Sequence, residues 1–372
     1  MAYTTIDNSE SAFQCFTYTG SGNTGSTIAR TFTGSVDLKP GLQYHAKMGS
    51  GNMHNIMENE YTGAGTHWLS SSGDSVAGGN LASFDTNGFT HSTTNQGSYY
   101  HNESSVEYVT WNWAESGASN ATNNDGTITS TVRVNANVGC SFVNWTGTSA
   151  DGTIGHGLGA RPKAVWMYPI QVAANNGNTQ RVWWWEANSD GYNINNGLNE
   201  AQLVESNSTN GVVTADSSGE GTSTVFSVKE GNSSFEAVNH SSQNYMAICW
   251  KEVQGFSKFG SYTGNGAESG PFIYCGFKPA LIMIRAMDRA EGCFCYDNGR
   301  NPTNVDSAMA IIGVNDSQLH YADANTDIDI LSNGFKLTDN GPARNNSGTK
   351  YGFMAWAENP FVTSTGNPTT AR

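Results

Sequence analysis

The stretch FGSYTGNGAESGPFIYCGFKPALIMIR, residues 259–285, contains the features from which we predict the fold of the whole chain. Its first apolar run ends in an aromatic-Thr-Gly turn at residues 262–264, and Pro279 precedes the strand-forming run at 281–284. A second short apolar run lies between them, at 272–275. Short apolar runs separated by Gly, Asn and Pro are typical of strands joined by tight turns. The stretch therefore predicts three strands and two turns.

Two earlier parts of the chain repeat this skeleton in the same order. The aromatic-Thr-Gly turn recurs at residues 18–20 and 145–147, and the strand-opening proline recurs at Pro40 and Pro162. Each part also ends with a Tyr-to-Glu segment that contains tryptophan: residues 108–115, 245–252 and 351–358. A repeat period of roughly one hundred residues is the size of a domain and is too long for a solenoid.

We therefore predict an all-β protein of three tandem β-sandwich domains, either jelly-roll-like or immunoglobulin-like. The three predicted domains are residues 13–115, which is the most diverged, 127–252 and 253–363. A polar leader precedes them at 1–12, a polar linker joins the first two at 116–126, and a polar tail follows at 364–372. We expect the tail to be mobile, or to dock only within an assembly.

Alternation of side chains along the three closing segments predicts which of their faces are buried. One face ends in Trp113, Trp250 and Trp356, and we expect this face to be core because each indole fills a large volume. The opposite face is mixed in the first two segments and apolar in the third. The third closing strand is therefore expected to bury both faces, against another module or another subunit.

Composition and charge exclude several classes of protein. Aromatic residues make up 11% of the chain, which predicts a folded protein, and 43 glycines predict many turns. The net charge of −14 repels polyanions, so we expect no nucleic-acid partner. No apolar run approaches the about 20 residues of a membrane span, and the first residues lack the pattern of a signal peptide. Sequons such as Asn102 and Asn144 are interpreted as products of composition.

The side-chain motifs predict a non-enzymatic protein with no catalytic residues, no metal and no cofactor. The eight histidines lack the spacing of a zinc-protease motif. Cys293 and Cys295 form a lone Cys-x-Cys, which is weak as a metal site, and the six cysteines are predicted to be reduced and mostly buried. The glycine-rich run at 155–159 precedes a predicted strand, which favours a turn over a nucleotide-binding loop.

Two clusters leave alternatives open. Asp323, Asp327 and Asp329 suit either a Ca²⁺ site, although without EF-hand spacing, or a solvated strand edge. Trp183-Trp184-Trp185 places three indoles in succession, and these cannot all lie on one face of a strand. Their alternatives are a sugar-stacking platform and a packing surface between modules or subunits.

The repeats resemble a family of phage virion proteins that is common in environmental and marine phages. The motifs that carry the resemblance are YTGNG, GFKP, LSNGF and MAWAENPF, at residues 262–266, 276–279, 331–335 and 354–361. The middle copy matches at residues 155–162 and 245–250, and the first copy matches in outline. The resemblance implies a tail-fibre, head-fibre or decoration protein at the particle surface or tail, and it supplies no catalytic residues.

We therefore predict a virion surface protein of tail-fibre or receptor-binding type. Its expected partners are other virion proteins, further copies of itself with a trimer favoured, and a host-surface glycan or protein. Two alternatives stay open: a capsid or neck decoration protein with a mainly architectural role, and a polysaccharide-degrading tailspike, whose pair of carboxylates cannot be singled out among the acidic residues. Local function is expected where the copies differ, around residues 48–66, 171–199 and 285–325.

Overall fold

The computed structural model has an almost entirely β architecture, which confirms the predicted fold class. The described residues are 4–22, 25–48, 56–61, 81–93, 102–169, 182–185, 221–228, 239–241, 243–286, 293–300, 304, 310–313, 321–322 and 328–368. Helix in these ranges is confined to one 3-10 turn at Ser9–Ser11 and to α1, Pro342–Asn345. Neither has the length or the apolar character that a membrane-spanning helix requires.

The N-terminal segment, as we call residues 4–115, forms two antiparallel sheets. The large sheet has the strand order β1-β7-β3-β4 and the small sheet has the order β2-β6-β5. The strands are β1 (Phe13–Thr19), β2 (Ile28–Thr31), β3 (Pro40–Met48), β4 (Ile56–Asn59), β5 (Leu81–Asp85), β6 (Gly88–His91) and β7 (Glu107–Ala114).

The middle segment, residues 116–252, also forms a large and a small sheet. Its strands are β8 (Ala121–Asn123), β9 (Ser130–Asn135), β10 (Cys140–Thr146), β11 (Gly152–Gly155), β12 (Ala164–Pro169), β13 (Val182–Trp185), β14 (Val225–Val228) and β15 (Asn244–Trp250). The sheet orders are β13-β12-β15-β10-β9-β8 and β11-β14. Strand β8 lies within residues 116–126, the predicted linker, and extends the large sheet by pairing with β9.

The C-terminal segment, residues 253–368, repeats this division. Its strands are β16 (Ser257–Thr263), β17 (Phe272–Tyr274), β18 (Phe277–Ala286), β19 (Cys293–Asp297), β20 (Ala310–Gly313), β21 (Tyr321–Ala322), β22 (Ile328–Leu331), β23 (Gly334–Leu337) and β24 (Lys350–Pro360). The sheet orders are β16-β24-β18-β19-β20-β21 and β17-β23-β22. In the predicted tail, the backbone N–H and the hydroxyl of Ser364 both donate to the Asp7 carboxylate at 2.6 Å, so this part docks within the chain.

The three large sheets have the same strand order at their centres. Each closing strand lies between the strand of the aromatic-Thr turn and the proline-led strand: β1-β7-β3, β10-β15-β12 and β16-β24-β18. The register also matches, because Trp113, Trp250 and Trp356 of the closing strands lie opposite Leu42, Ala164 and Leu281. Positions in the three segments can therefore be compared through backbone pairing.

The prolines lie where a missing N–H costs little. Pro40 is the first residue of β3, as predicted, and Pro162 lies just before β12. Pro279 lies inside β18, which begins at Phe277, and it coincides with a shift of register against β24. A strand start and a bulge are the positions where proline disturbs the hydrogen-bond ladder least.

A tyrosine and an asparagine fix the loop before each closing strand. The tyrosine stacks on the aromatic residue of the neighbouring strand, with ring centroids 5.1–5.3 Å apart in the pairs Tyr18–Tyr108, Trp145–Tyr245 and Tyr262–Tyr351. Its hydroxyl accepts a hydrogen bond from a backbone N–H five residues earlier, at 2.9–3.0 Å. The residue before that N–H is a fully buried asparagine: Asn102, Asn239 or Asn345. The recurring pattern is Asn-x-Ser-x-x-x-Tyr.

We expect Asn345→Ala to lower the free energy of unfolding by about 2–3 kcal/mol, because it removes buried hydrogen bonds and leaves their partners desolvated. The side chain accepts from the N–H of Asn265 at 2.9 Å and donates to the carbonyls of Ala267 and Asp339 at 2.9 and 2.7 Å. Urea denaturation measures the change.

Asn346→Ala is the matched control for this prediction, since Asn346 is the adjacent, partly exposed asparagine. Its loss should stay below about 1 kcal/mol, as for most surface substitutions. Equal losses in the two variants would contradict the structural role given to Asn345.

Candidate functional site

The closing strands of the three segments meet at three tryptophans. The ring centroids of Trp113, Trp250 and Trp356 lie 5.4, 5.1 and 5.3 Å apart in the pairs 113–250, 113–356 and 250–356. All three side chains are fully buried. Their planes meet at 54–75°, the range in which the positive edge of one ring approaches the negative face of another. The segments therefore share one core, which we call the tryptophan core.

The tryptophan core explains why each closing strand is buried on both faces. The tryptophan-bearing face packs against the other two segments, and the opposite face packs inside its own segment. Tyr108 thus contacts the small sheet that contains Phe89, and Tyr245 contacts the one that contains Phe226. The predicted burial of both faces of β24 is confirmed, and it extends to β7 and β15.

Polar contacts link the N-terminal segment to each of the other two segments. Arg133 of the middle segment donates to the carbonyl oxygen of Glu60, just after β4, at 2.6 Å. Asp297, at the end of β19, accepts from Trp111 Nε1 at 3.1 Å and from Cys15 Sγ at 3.2 Å in the N-terminal segment. Strands β4 and β19 occupy the same place in their sheets. The strand next to the proline-led strand thus lies at the contact with a neighbouring segment in both cases.

The cysteines at these interfaces are packing residues. All six cysteines are free thiols and five are buried, as predicted. Burial, together with the charge of Asp297, raises the pKa of Cys15 well above its usual range, and burial raises the pKa of Cys275 to about 12. These thiols are therefore protonated at neutral pH. Cys293 and Cys295 are buried, and the described residues contain no group of three His, Cys, Asp or Glu side chains placed to hold a metal.

The N-terminal segment buries polar side chains between its sheets, at positions where the middle segment buries apolar ones. Gln43 Nε2 donates to Asn112 Oδ1 at 2.6 Å, and Gln43 Oε1 lies 2.6 Å from His45 Nε2. All three side chains are fully buried. Gln43 and Asn112 face each other across the sheet, and the matching pair in the middle segment is Val165 and Cys249.

His91 lies in the same interior and is fully buried. Neither of its ring nitrogens has a hydrogen-bond partner in the described part of the chain. Its ring centroid lies 5.6 Å from that of Tyr18, 5.3 Å from that of Phe89 and 6.4 Å from that of His45. Burial, followed by the positive charge of Arg30, lowers the pKa of His91 to about 3. The ring is therefore neutral at physiological pH.

We expect His91 to make the stability of the fold depend on pH. Its pKa is about 3 in the folded chain and about 6.5 in the unfolded chain, so below about pH 6.5 the unfolded state binds more protons. The free energy of unfolding should fall as the pH drops from about 6.5 towards 3, by up to about 1.4 kcal/mol per pH unit from this residue. His91→Leu should remove this share, as seen by urea denaturation at about pH 7.5 and about pH 5.

His240→Gln is the control, since His240 is only partly buried. This variant should keep the pH dependence of the wild type. The role of His91 is contradicted if His91→Leu keeps that dependence as well. Leucine is a suitable replacement, because the matching position of the C-terminal segment is Leu337, two residues after a buried phenylalanine in both strands.

The predicted tryptophan site lies on a strand whose side chains are not among those described. Strand β13 contains Trp183, Trp184 and Trp185, and its backbone pairs with β12 so that Trp184 lies opposite Val165. It pairs with the proline-led strand β12, as β4 pairs with β3 and β19 pairs with β18. The sugar platform and the packing surface both stay predictions.

Other predicted features are only partly within the described residues. Asp323 and Asp327 lie outside them. Asp329 is half-buried between the buried side chains of Ile328 and Ile330, as the strand-edge interpretation predicted for this residue. Of the three ranges where local function was expected, 171–199 lies outside the described residues except for 182–185, and much of 48–66 and 285–325 does so as well.

The glycine-rich run at 155–159 is a turn between strands, as predicted. Gly155 ends β11, and β12 begins at Ala164. Gly157 and Gly159 adopt φ values of 71° and 67°, in the left-handed region that favours glycine. The buried side chain of Leu158 anchors the turn between them.

An exposed aromatic surface that the sequence analysis missed lies on the small sheet of the C-terminal segment. Phe272 and Tyr274 are 47% and 60% exposed, and they are the exposed large hydrophobic side chains of the described residues. Ile273 between them is buried. Because side chains alternate along a strand, both rings lie on the outer face of the edge strand β17.

The register of the small sheet shows what lies beside these rings. Phe272 lies opposite Lys336 on β23, and Lys336 lies opposite Asp329 on β22. Tyr274 lies opposite Gly334. Residues directly opposite share one face of a sheet. We call the surface formed by Phe272, Tyr274, Lys336 and Asp329 the outer aromatic face.

The matching edge strands of the other segments carry no aromatic residues at these positions. In all three small sheets, the residue between the two positions lies opposite a buried phenylalanine, which fixes the correspondence. The counterparts of Phe272 and Tyr274 are Thr153 and Gly155 in the middle segment, and Ala29 and Thr31 in the N-terminal segment. The sheet therefore forms without the two rings.

Fold and surface together define an all-β protein in which three large sheets share one aromatic core and, within the described residues, one small sheet exposes an aromatic face. A family model described as a domain of unknown function, DUF7483, matches residues 8–360, and the chain belongs to this family. The match spans all three segments. No curated protein and no solved structure matches the chain.

Proposed function

We propose that the chain is a non-enzymatic phage virion surface protein of the tail-fibre or receptor-binding type, which displays β domains for contact with the host surface. The observation that carries this proposal is the outer aromatic face. Phe272 and Tyr274 are exposed, and the same sheet forms elsewhere in the chain without aromatic residues at these positions. Exposed aromatic clusters that a fold does not require are typical of contact surfaces. The sequence resemblance to phage virion proteins supports the location on the particle or its tail.

The scaffold in this proposal consists of three tandem copies of one β-sandwich domain, at residues 13–115, 127–252 and 253–363. The matching strand order, the recurring Asn-x-Ser-x-x-x-Tyr loop and the tryptophans at one register position support the interpretation. Packing of the copies on the tryptophan core fixes the orientation of the outer aromatic face. A surface held in this way loses little conformational entropy when it binds.

Proposed partners are other virion proteins, further copies of the chain with a trimer favoured, and a host-surface glycan or protein. One chain presents one outer aromatic face within its described residues. Several chains on one particle therefore present several such faces. Multivalent contact of this kind compensates for weak individual binding.

A second candidate function is a capsid or neck decoration protein with an architectural role. The tryptophan core favours it, since three large sheets packed on one buried contact provide rigidity without any ligand. The third alternative, a polysaccharide-degrading tailspike, predicts release of reducing sugars from host polysaccharide by the purified chain.

Antibody labelling of intact particles tests the proposal. Antibodies raised against the recombinant chain are applied to particles of the phage that encodes it and located by electron microscopy. We expect label on the tail or its fibres, and we expect the purified chain to bind host cells and to reduce phage adsorption.

Each other outcome has a defined meaning. Label restricted to the capsid shell, with no effect on adsorption, favours the decoration protein. Absence of label from the particles contradicts a virion protein altogether. Release of reducing sugars by the purified chain contradicts the non-enzymatic assignment.

A further inference from the structure

We propose that the outer aromatic face binds a neutral glycan. This proposal rests on the proposed function and names the class of ligand that the function requires. The site consists of Phe272 and Tyr274 with Lys336 and Asp329 beside them. Four observations lead to this ligand: the spacing of the rings, the polar groups around them, the glycines that border Tyr274, and the residues at matching positions elsewhere in the chain.

The two rings have a spacing that suits a carbohydrate chain. Residues two apart on one face of a strand are separated by about 6.5–7 Å. Aromatic rings present flat apolar faces, and a pyranose ring has an apolar face made of C–H groups. Two rings in a row can therefore stack against adjacent sugar units of one chain.

The polar side chains on this face complement a ligand that is rich in hydroxyl groups. Lys336 supplies N–H donors, and the carboxylate of Asp329 supplies acceptors. Lys336 Nζ already donates to Ser269 Oγ at 3.0 Å, which places a further hydroxyl at the rim. Sugar hydroxyls both donate and accept, so the two side chains suit the same ligand.

The charges of this face favour a neutral ligand. The positive charge of Lys336 and the negative charge of Asp329 cancel within one cross-strand row. The chain as a whole carries a net charge of −14, which repels acidic polysaccharides at long range. A neutral glycan binds through stacking and hydrogen bonding, and the net negative charge of the chain does not repel it.

Two glycines flank Tyr274: Gly276 follows it by two residues, and Gly334 lies opposite it on β23. A Cβ built on Gly276 would lie 3.6–3.8 Å from Tyr274 ring atoms and hydroxyl, so the ring lies along the backbone of this turn. Gly334, directly opposite Tyr274, has no room for a side chain, because a Cβ there would overlap the carbonyl oxygen of Ile273. The ring is thus supported on one side by the turn, and Gly334 leaves the position opposite Tyr274 without a side chain.

The size of this face favours a glycan over a protein partner. A stable protein interface buries about 800 Å² on each partner, far more than two rings and two charged side chains provide. Strand addition at the free edge of β17 would be weak as well, since β17 is three residues long and offers few backbone hydrogen bonds.

Affinity electrophoresis of the full chain in gels that contain a polysaccharide tests the proposal. The probes are three neutral polysaccharides, dextran, laminarin and galactomannan, and one acidic polysaccharide, alginate. We expect at least one neutral polysaccharide, and not alginate, to retard the wild type. The double variant Phe272→Thr/Tyr274→Thr should bind at least about tenfold more weakly, since it removes both stacking surfaces.

The variants are chosen so that folding and binding can be separated. Threonine occurs at matching positions in the other segments, at Thr153 and Thr31, so the double variant should keep the wild-type unfolding midpoint. The ring-exchange variant Phe272→Tyr/Tyr274→Phe preserves both aromatic faces and should retain binding. Equal retardation of the wild type and the double variant overturns the proposal, and so does a wild type that none of the neutral probes retards.

Two further results also overturn the proposal. Retardation by alginate alone assigns an acidic ligand. Retardation that survives in the double variant but is lost in Trp184→Ala assigns the sugar site to β13.

Binding to host cells, measured on the same proteins, separates this inference from the proposed function. If the wild type and the double variant bind cells equally, the glycan site is contradicted and the proposed function is retained. If the double variant loses cell binding and no neutral polysaccharide retards the wild type, the face binds a protein receptor and the glycan proposal is contradicted. A wild type that binds neither cells nor polysaccharide contradicts both.

Discussion

The contact among Trp113, Trp250 and Trp356 is the interaction on which the rest of the structure depends. Each indole lies on a closing strand, and each closing strand has a partner on both sides in its sheet. The contact therefore fixes three large sheets against one another at once. Truncating a buried Trp costs about 3–5 kcal/mol, a large share of the about 5–15 kcal/mol by which a typical domain is stable. The segments consequently depend on one another for stability, and their outer faces are free to differ.

Much of this fold could be predicted from the sequence, because its strands and turns carry local signals. Strand alternation identified the buried face that ends in Trp113, Trp250 and Trp356. Alternation reports that a face is buried, and it does not report what covers it. The sequence predicted that another module or subunit covers the face opposite Trp356. The structure reverses this assignment, because the tryptophan-bearing face packs against the other segments and the opposite face packs inside its own segment. The buried asparagines were missed because Asn-x-Ser at Asn102 looks like a chance sequon until its fixed distance from the following tyrosine is compared across the three segments.

The candidate site was harder to predict, because exposure depends on sheet position as well as on residue type. The run at 272–275 contains only apolar and aromatic residues besides the cysteine, and it was interpreted as a short apolar run. Its strand is an edge strand of a small sheet, so every second side chain faces outward. The polar interior around Gln43 and Asn112 was likewise not predictable, since a mixed face is typical of a solvated strand. Both features follow from register, which sets the partners of each side chain.

Segment-resolved hydrogen exchange during urea unfolding tests the central claim, that the three segments are stabilised as one unit through the tryptophan core. In the wild type, strands β7, β15 and β24 should lose protection at one common midpoint. Trp250→Ala should lower that midpoint equally in all three, with a loss of about 3–5 kcal/mol in the free energy of unfolding. If only the middle segment is destabilised, while β7 and β24 keep their wild-type midpoints, the segments are independent and the account is wrong.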